Sequence, residues 1–589
     1  MAVNSYPTRV SNIRDGRLFS GVGAWQGAAL VAALIVVLPI LSILVIALTP
    51  TGDVWHHLFT NVLPSALRQT GLLMLGVGLL TATMGTLTAW LVTMYRFPGR
   101  NLLDWLLVLP LAIPTYVAAY TYVELMDYAG PLQGAVRWLL DVQSVRDYWF
   151  PEMRSMEGAI FVIAMVLYPY VYLTARATFL QQSVCVLEVA RTLGRSGVGT
   201  FWQVGLPMAR PAVVIGVALA LMECLNDIGA VQYLGVQTLT ATIYATWLER
   251  SNLGAAAQIS LVMILIVMFL LWAERAARRQ RYFHHTTGKY RALPEARLSG
   301  WKGLAATVAC ALPVLFGFGL PMVALVQDTL IHLDQTMTPA FWDAAQHSLM
   351  LAVGAAALSV TLVVLIMFGM RLAPNRSLTV AARLAGVGYA MPGTVIAIGL
   401  LIPLAAFDNS VDAFMRDSFG ISTGLILTGS LAALVLAHTV RFLAVALGAV
   451  ESGFHTISPN IDAAARALGA KPARMLMSVH LGMLRPAIGA AALLVFVDSM
   501  KELPATLLLR PFNFDTLSTH VYTYASLAMF SEAAPAALMI VLIGLLPVLF
   551  LHRAITGGRP GHRRTVEAEA GAPAMEGAAP VTVTPKPGE

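Results

Sequence analysis

The chain has 589 residues, 58% of them hydrophobic and only 12% charged, about half the charged fraction of an ordinary soluble protein. A water-soluble globular domain is excluded, because its surface needs polar cover that this composition does not supply. The formal net charge of +7 does not point to nucleic acid either, since Lys and Arg fall between apolar runs and not along one face. Cys185, Cys224 and Cys310 lie too far apart for a disulfide framework or a metal-ligand spacing and read as small residues in or beside apolar runs.

In chain order, a polar stretch with Arg9, Arg14 and Arg17 precedes an apolar run from Ala28 to Leu48. That run is long enough to cross about 30 Å of hydrocarbon and too long for a cleaved signal segment, so it is read as a retained anchor helix. Eleven further spans follow, twelve in all, at roughly 24–49, 67–95, 102–126, 157–180, 211–235, 255–273, 303–327, 346–370, 382–406, 421–449, 485–509 and 531–551. The loop near 128–156, with Trp138, Tyr148 and Trp149, reads as an interfacial helix or a contact surface for an outside partner. Arg275, Arg278, Arg279, Arg281, Lys289, Arg291, Arg297 and Lys302 place the segment between spans six and seven in the cytoplasm. Asp328, Asp334 and Asp343, and later Asp408, Asp412 and Asp417, mark outer loops, and Arg553, Arg559, Arg563 and Arg564 put the C-terminus inside. Both termini are then cytoplasmic. The tail beyond about 555 is rich in Ala, Pro, Gly and Glu and reads as disordered.

The chain repeats itself. Ala190-Arg191-Thr192-Leu193-Gly194 matches Ala465-Arg466-Ala467-Leu468-Gly469, and Met208-Ala209-Arg210-Pro211-Ala212 matches Met483-Leu484-Arg485-Pro486-Ala487, both at an offset of 275. Ala112-Ile113-Pro114 aligns with Ala390-Met391-Pro392 at nearly the same offset, so Pro114 and Pro392 interrupt matching spans as packing kinks or hinges. The expected architecture is an all-α polytopic membrane protein of about twelve transmembrane helices in two parallel, homologous six-helix halves. The expected division is 1–65 for a cytoplasmic N-terminus and anchor helix, 66–272 for the first unit and 273–302 for a basic linker. An extra transmembrane helix with its outer loop then occupies 303–344, the second unit 345–551 and the tail 552–589.

The loop after span four reads Glu188-Val189-Ala190, then Gly194, Val204 and Leu206-Pro207. Its second copy reads Ala463-Ala464-Ala465, Gly469, Val479 and Leu481-Gly482, with Asp462 one residue before the missing acid as its candidate replacement. Ser458 and Pro459 fit a helix start and Gly469 its end. Asp462 and Arg466, four apart, are positioned to pair on one face. This pair of loops resembles the signature of ABC importer permeases: Glu-Ala-Ala, three residues, Gly, nine residues, an aliphatic, one residue, Leu-Pro.

Two carboxylates sit inside span five, Glu223 and Asp227, and Asp498 and Glu502 hold the matching places in span eleven, with Lys501 where the first half has Asn226. Glu223 lies about 18 Å into its helix at 1.5 Å per residue, with Asp227 one turn on and expected on the same face. Acids at such depth face a cavity or a partner. They line the path or its gate, or they form an ion-pair network with Lys501 and Arg510. Over about 60–552, the two halves, the paired loops and the stretches Leu221–Ala230 and Asp498–Leu507 make the chain similar to the fused permeases of ferric iron importers, within the type I ABC importer family.

The resemblance implies two copies of an ABC ATP-binding subunit docked on coupling loops at Glu188, Ala190, Arg191, Gly194, Leu206, Pro207, Asp462, Ala464, Ala465, Arg466, Gly469 and Leu481. It further implies a periplasmic binding protein that delivers Fe3+, a bacterial inner-membrane location, and ATP on the partner subunit with no cofactor or metal on this chain. No phosphate-binding loop of the form G-x-x-x-x-G-K-[ST] occurs in the sequence, in keeping with a transport subunit that is not itself the ATPase. Thiamine or a phosphonate is the alternative cargo. A proton-coupled carrier is the rival of another class, and it leaves the paired loops unexplained.

Overall fold

The computed structural model describes residues 22–49, 54–142, 144, 147–181, 190, 192–279, 296–372 and 376–557. Glu188, Arg191, Cys185, most of the basic linker and the tail from 558 onward lie outside the described residues. The first part of the chain forms helices α1 (Val22–Ile46), α2 (Leu63–Met94), α3 (Arg100–Leu106), α4 (Thr115–Met126), α5 (Pro131–Leu140), α6 (Met156–Gln181), α7 (Leu206–Asn226), α8 (Gly229–Tyr233), α9 (Leu239–Leu248) and α10 (Leu253–Arg279). The second part forms α11 (Trp301–Val314), α12 (Leu320–Ile331), α13 (Pro339–Leu372), α14 (Arg376–Ala385), α15 (Gly393–Phe419), α16 (Leu431–Thr456), α17 (Pro459–Ala467), α18 (Leu481–Met500), α19 (Pro504–Leu509), α20 (Leu517–Ser526) and α21 (Phe530–Gly557). Among the described residues eleven helices are long and apolar enough to cross a membrane, twelve if the pair bent by 96° around Pro114 counts as one span. Leucines and valines such as Leu75, Leu265 and Val323 stay exposed on these helices, as expected where lipid and not water is the solvent.

The halves exchange their outer helices. Helix α1 packs on α13, α14 and α15 of the second half, while α11 and α12 pack on α2, α3, α4 and α21. The contacts are close because glycine permits them. A Cβ on Gly399 would collide with the carbonyl of Pro39 on α1, and one on Gly317 would collide with Met165 and Pro110 of the first half. Trp25 meets Phe368 edge-on at 5.2 Å, and the Tyr122 hydroxyl donates to the Phe316 carbonyl at 2.5 Å. Two buried apolar clusters result, each built from the central helices of one half and outer helices of the other. A two-residue parallel ladder, Tyr95–Arg96 against Ala296–Arg297, ties the end of the basic linker to the end of α2.

Several expected spans are corrected. Span nine does not start at 382. Residues Arg376–Ala385 form a short helix with Leu378, Ala381, Ala382 and Ala385 buried on one face, and the long helix begins only at Gly393. Pro114 and Pro392 are therefore not mid-helix kinks but N-caps, of α4 and α15, where a missing N–H does no harm. Span ten starts at Leu431, not 421, because residues 421–430 form a loop. Asp408 and Asp412 do not lie in that loop but on the extended end of α15, where they hold it. The Asp408 carboxylate accepts the N–H groups of Leu427 (2.9 Å) and Thr428 (2.7 Å), and Asp412 accepts those of Thr423 (2.7 Å) and Gly424 (3.1 Å). Residues 131–140 of the long outer loop are helical, with Trp138 and Leu139 exposed.

Candidate functional site

The paired loops keep their register in three dimensions. Gly194 and Gly469 both adopt the left-handed backbone, φ +76° and +75°. Beside them the N–H of Arg195 bonds the carbonyl of Ala190 at 3.1 Å, and that of Ala470 bonds Ala465 at 3.0 Å. This is the same helix-ending turn twice, and glycine supplies the conformation it needs. Each turn leads, at the same offset, into a five-residue π-helical segment, Phe201–Gly205 and Leu476–His480, and then into α7 and α18. Six membrane crossings separate the loops, so both lie on one side. Beside the two glycines stand Leu193 and Leu468, 75% and 88% exposed, and Trp202 and Met477 repeat the exposed apolar pairing further on. Large apolar side chains left bare at matched places mark a contact surface. The sequence reading missed all four, although Leu193 and Leu468 lie inside the matched repeat.

Of the expected loop residues, Ala464, Arg466 and Gly469 are exposed, Ala465, Leu206, Pro207 and Leu481 are half-buried and Ala190 is buried. Ser458 caps α17 as expected, accepting the Asn460 N–H. The expected Asp462–Arg466 side-chain pair is absent. The Asp462 carboxylate turns inward to Arg371 (2.6 Å) and His480 (2.8 Å), and Arg466 donates instead to the Asp462 carbonyl at 3.2 Å. Burial opposes ionisation of Asp462, but the bonds from His480 and Arg371 outweigh it and hold its carboxyl below the usual range. The group is then charged at neutral pH, and its contribution is lost only as pH falls through that depressed value.

The four intramembrane acids converge at the boundary between the halves, around a cavity of about 90 Å³, and they divide into two kinds. Helices α7 and α18 end at Asn226 and Met500. Asp227 and Glu502 therefore do not share the helical face of Glu223 and Asp498, as a straight helix would require. Each instead caps the short helix that follows. Asp227 accepts the Ala230 N–H at 2.9 Å, and Glu502 accepts those of Ala505 (2.8 Å) and Thr506 (3.0 Å). Glu223 and Asp498, with side chains 25% and 22% exposed, are left to line the open part of the cavity.

The cations come from the second half. Arg441 on α16 reaches Glu502 at 2.7 Å and Glu223, across the boundary, at 4.0 Å. His438, one turn earlier, meets Ser499 (2.6 Å) and Thr506 (2.9 Å). At the 275-residue offset the first half has Cys224 and Val231 opposite Ser499 and Thr506, so it cannot build this polar network. Lys501 pairs with Asp498 at 2.9 Å, whereas Arg510 pairs with Asp515 and not with the acid cluster. The boundary is stitched further by the Tyr389 hydroxyl donating to Glu223 (2.8 Å) and the Gly393 N–H donating to Asn226 (2.8 Å). His438, Arg441 and Tyr389 were not singled out in the sequence. A lone Arg inside the apolar run of span ten is a signal that could have found the hub. Among the described residues no cluster of three or more His, Cys, Asp or Glu is placed to hold a metal ion.

Residues 75–281 match the family described as the inner membrane component of binding-protein-dependent transport systems. The chain is 26% identical over 501 residues to the Fe(3+)-transport system permease protein FbpB 2 of Haemophilus influenzae, covering 84% of this chain and 91% of that one. It is 30% identical over 273 residues to the sulfate transport system permease protein CysW of Escherichia coli, covering 44% of this chain and 91% of that one. With the sulfate permease CysT of Salmonella typhimurium the figures are 28% over 268 residues, 44% and 94%. Nearly whole sulfate permeases thus match a little under half of this chain, as a protein made of two fused units requires. Repeated loops, exchanged halves and these relatives converge: the chain belongs to the inner-membrane permease family of binding-protein-dependent ABC importers.

Proposed function

We propose that this permease carries Fe3+ into the cell. A binding protein delivers the ion on the outer side, and two copies of a separate ATPase grip the loops around 190–207 and 458–482. The observation that carries the cargo assignment is the charge of the boundary cavity. Glu223, Asp227, Asp498 and Glu502 face only Arg441 and Lys501 there, and Glu223 and Asp498 keep open access. Such a site attracts a cation and repels sulfate. The iron permease relative also matches across both halves, which supports the same cargo. The basic linker and the basic end of α21 are read as cytoplasmic by charge, with both termini on the ATPase side and ATP bound by the partner.

The test is uptake by a strain lacking its own copy, supplied with radioactive Fe3+ or sulfate. The chain restores Fe3+ uptake. The double variant Glu223→Gln with Asp498→Asn lowers it by at least about tenfold while complex yield is unchanged. Removing one charge about 8 Å from the passing ion withdraws about 2 kcal/mol for each unit of the ion's positive charge at an effective dielectric near 20. Restored sulfate uptake, or unchanged Fe3+ uptake by the double variant, contradicts the reading.

A further inference from the structure

We infer that Asp462, Arg371 and His480 form an inward-facing clamp that fixes the second coupling helix, α17, to the core of its own half, so that Asp462 serves to transmit motion and not to grip the ATPase. The inference rests on the reading that α17 docks that partner.

The carboxylate bonds Arg371 and His480 and, through Arg371, reaches a third core helix. Arg371, from the end of α13, bonds Asp462 through Nε at 2.6 Å. The same guanidinium donates to the carbonyls of Phe454 and Ile457 at the end of α16, both at 2.9 Å. His480, at the base of α18, supplies the second bond at 2.8 Å and is itself fully buried between Phe368 and Phe454. Asp462 is only 5% exposed, so no partner protein reaches it. On the same short helix Ala463, Ala464, Ala467 and Leu468 are exposed. One side of α17 is thus bare, mostly small apolar residues with Asn460 and Arg466 among them, and the other is bolted to α13, α16 and α18. A push on the bare face moves three membrane helices together.

The sequence of the first half carries no such clamp. At the 275-residue offset Leu187 and Gly205 stand opposite Asp462 and His480, and the acid of that loop, Glu188, comes one position later. One residue is about 100° of helix rotation, so Asp462 does not stand at the sequence position of Glu188. The two loops repeat the same turn, but only the second carries the residues of this clamp in its sequence.

The whole complex of this chain, its ATPase and its binding protein is purified and reconstituted, and Fe3+ uptake and ATP hydrolysis are measured together. Asp462→Asn keeps the ATPase bound and hydrolysing, and uptake per ATP falls by about tenfold or more, within the usual span of coupling between sites. Asp462→Glu restores at least half of the wild-type ratio, which separates positioning from mere loss of fold. An unchanged ratio for Asp462→Asn overturns the clamp, and so does loss of the ATPase as severe as that caused by Leu468→Asp. If Leu468→Asp leaves ATPase binding unweakened, the docking reading fails first and the clamp falls with it. Should Asp462→Asn not reach the membrane, His480→Gln takes its place in the same assays: a lowered ratio with the ATPase bound supports the clamp, and an unchanged ratio overturns it.

Discussion

Replacing Glu502 with alanine lowers the thermal midpoint of the purified permease by about 3–5 °C, the largest stability effect expected of a single substitution here. The carboxylate answers four demands at once. It pairs with Arg441 at 2.7 Å, it lies 3.3 Å from the His438 ring, and it accepts the N–H groups that open α19. Its side chain is fully buried. Alanine leaves the Arg441 charge buried with its main partner gone, which costs about 3–5 kcal/mol, and it removes a helix cap worth about 1 kcal/mol. At a little under about 1 °C per kcal/mol for a chain of this size, the shift is still readable from aggregation of the detergent-solubilised protein on heating.

A companion double variant separates stability from transport. Glu502→Leu with Arg441→Met removes the pair as a whole, and apolar replacement of a buried pair is often neutral for stability. The midpoint then recovers most of the loss, while transport stays low because the tie from Arg441 to Glu223 of the other half is gone. An unchanged midpoint for Glu502→Ala would show that the network is not what holds the boundary.

The second large effect is on assembly. Leu193→Asp with Leu468→Asp abolishes co-purification of the ATPase without changing yield of the permease. The two leucines are exposed in the isolated chain, so neither stabilises its fold. Burying each against a partner contributes about 2 kcal/mol, and together their loss weakens binding by about a thousandfold at 1.4 kcal/mol per tenfold. Each single variant retains part of the binding. Full co-purification with the double variant would move the docking surface elsewhere.

The span count, the duplication and the loop register were legible because each rests on a local or periodic signal. Apolar runs of about twenty residues mark spans, and motifs repeated at one offset mark halves. The exchange of α1 and of α11–α12 was not legible, since apolar helices carry no sign of which neighbour they meet. The acid cluster is visible in the sequence, but its geometry is not. Spacing of four suggests one helical face for Glu223 and Asp227, yet the helix stops at Asn226, and the following Ile228-Gly229-Ala230 starts another that needs a cap. The same break follows Met500. Asp462 stands out as a charge beside an altered motif, which points to its importance but not to its direction. The basic partner that turns it inward, Arg371, is 91 residues away in the chain, beyond the reach of any local pattern.

The proposal that energy enters this permease through the paired loops is tested most directly with three sets of vesicles. One holds this chain alone, one the chain and its ATPase, and one both plus the binding protein. The prediction is Fe3+ uptake only in the third set, strictly dependent on ATP and abolished by Leu193→Asp with Leu468→Asp. Solute movement down a proton gradient by the chain alone would contradict it.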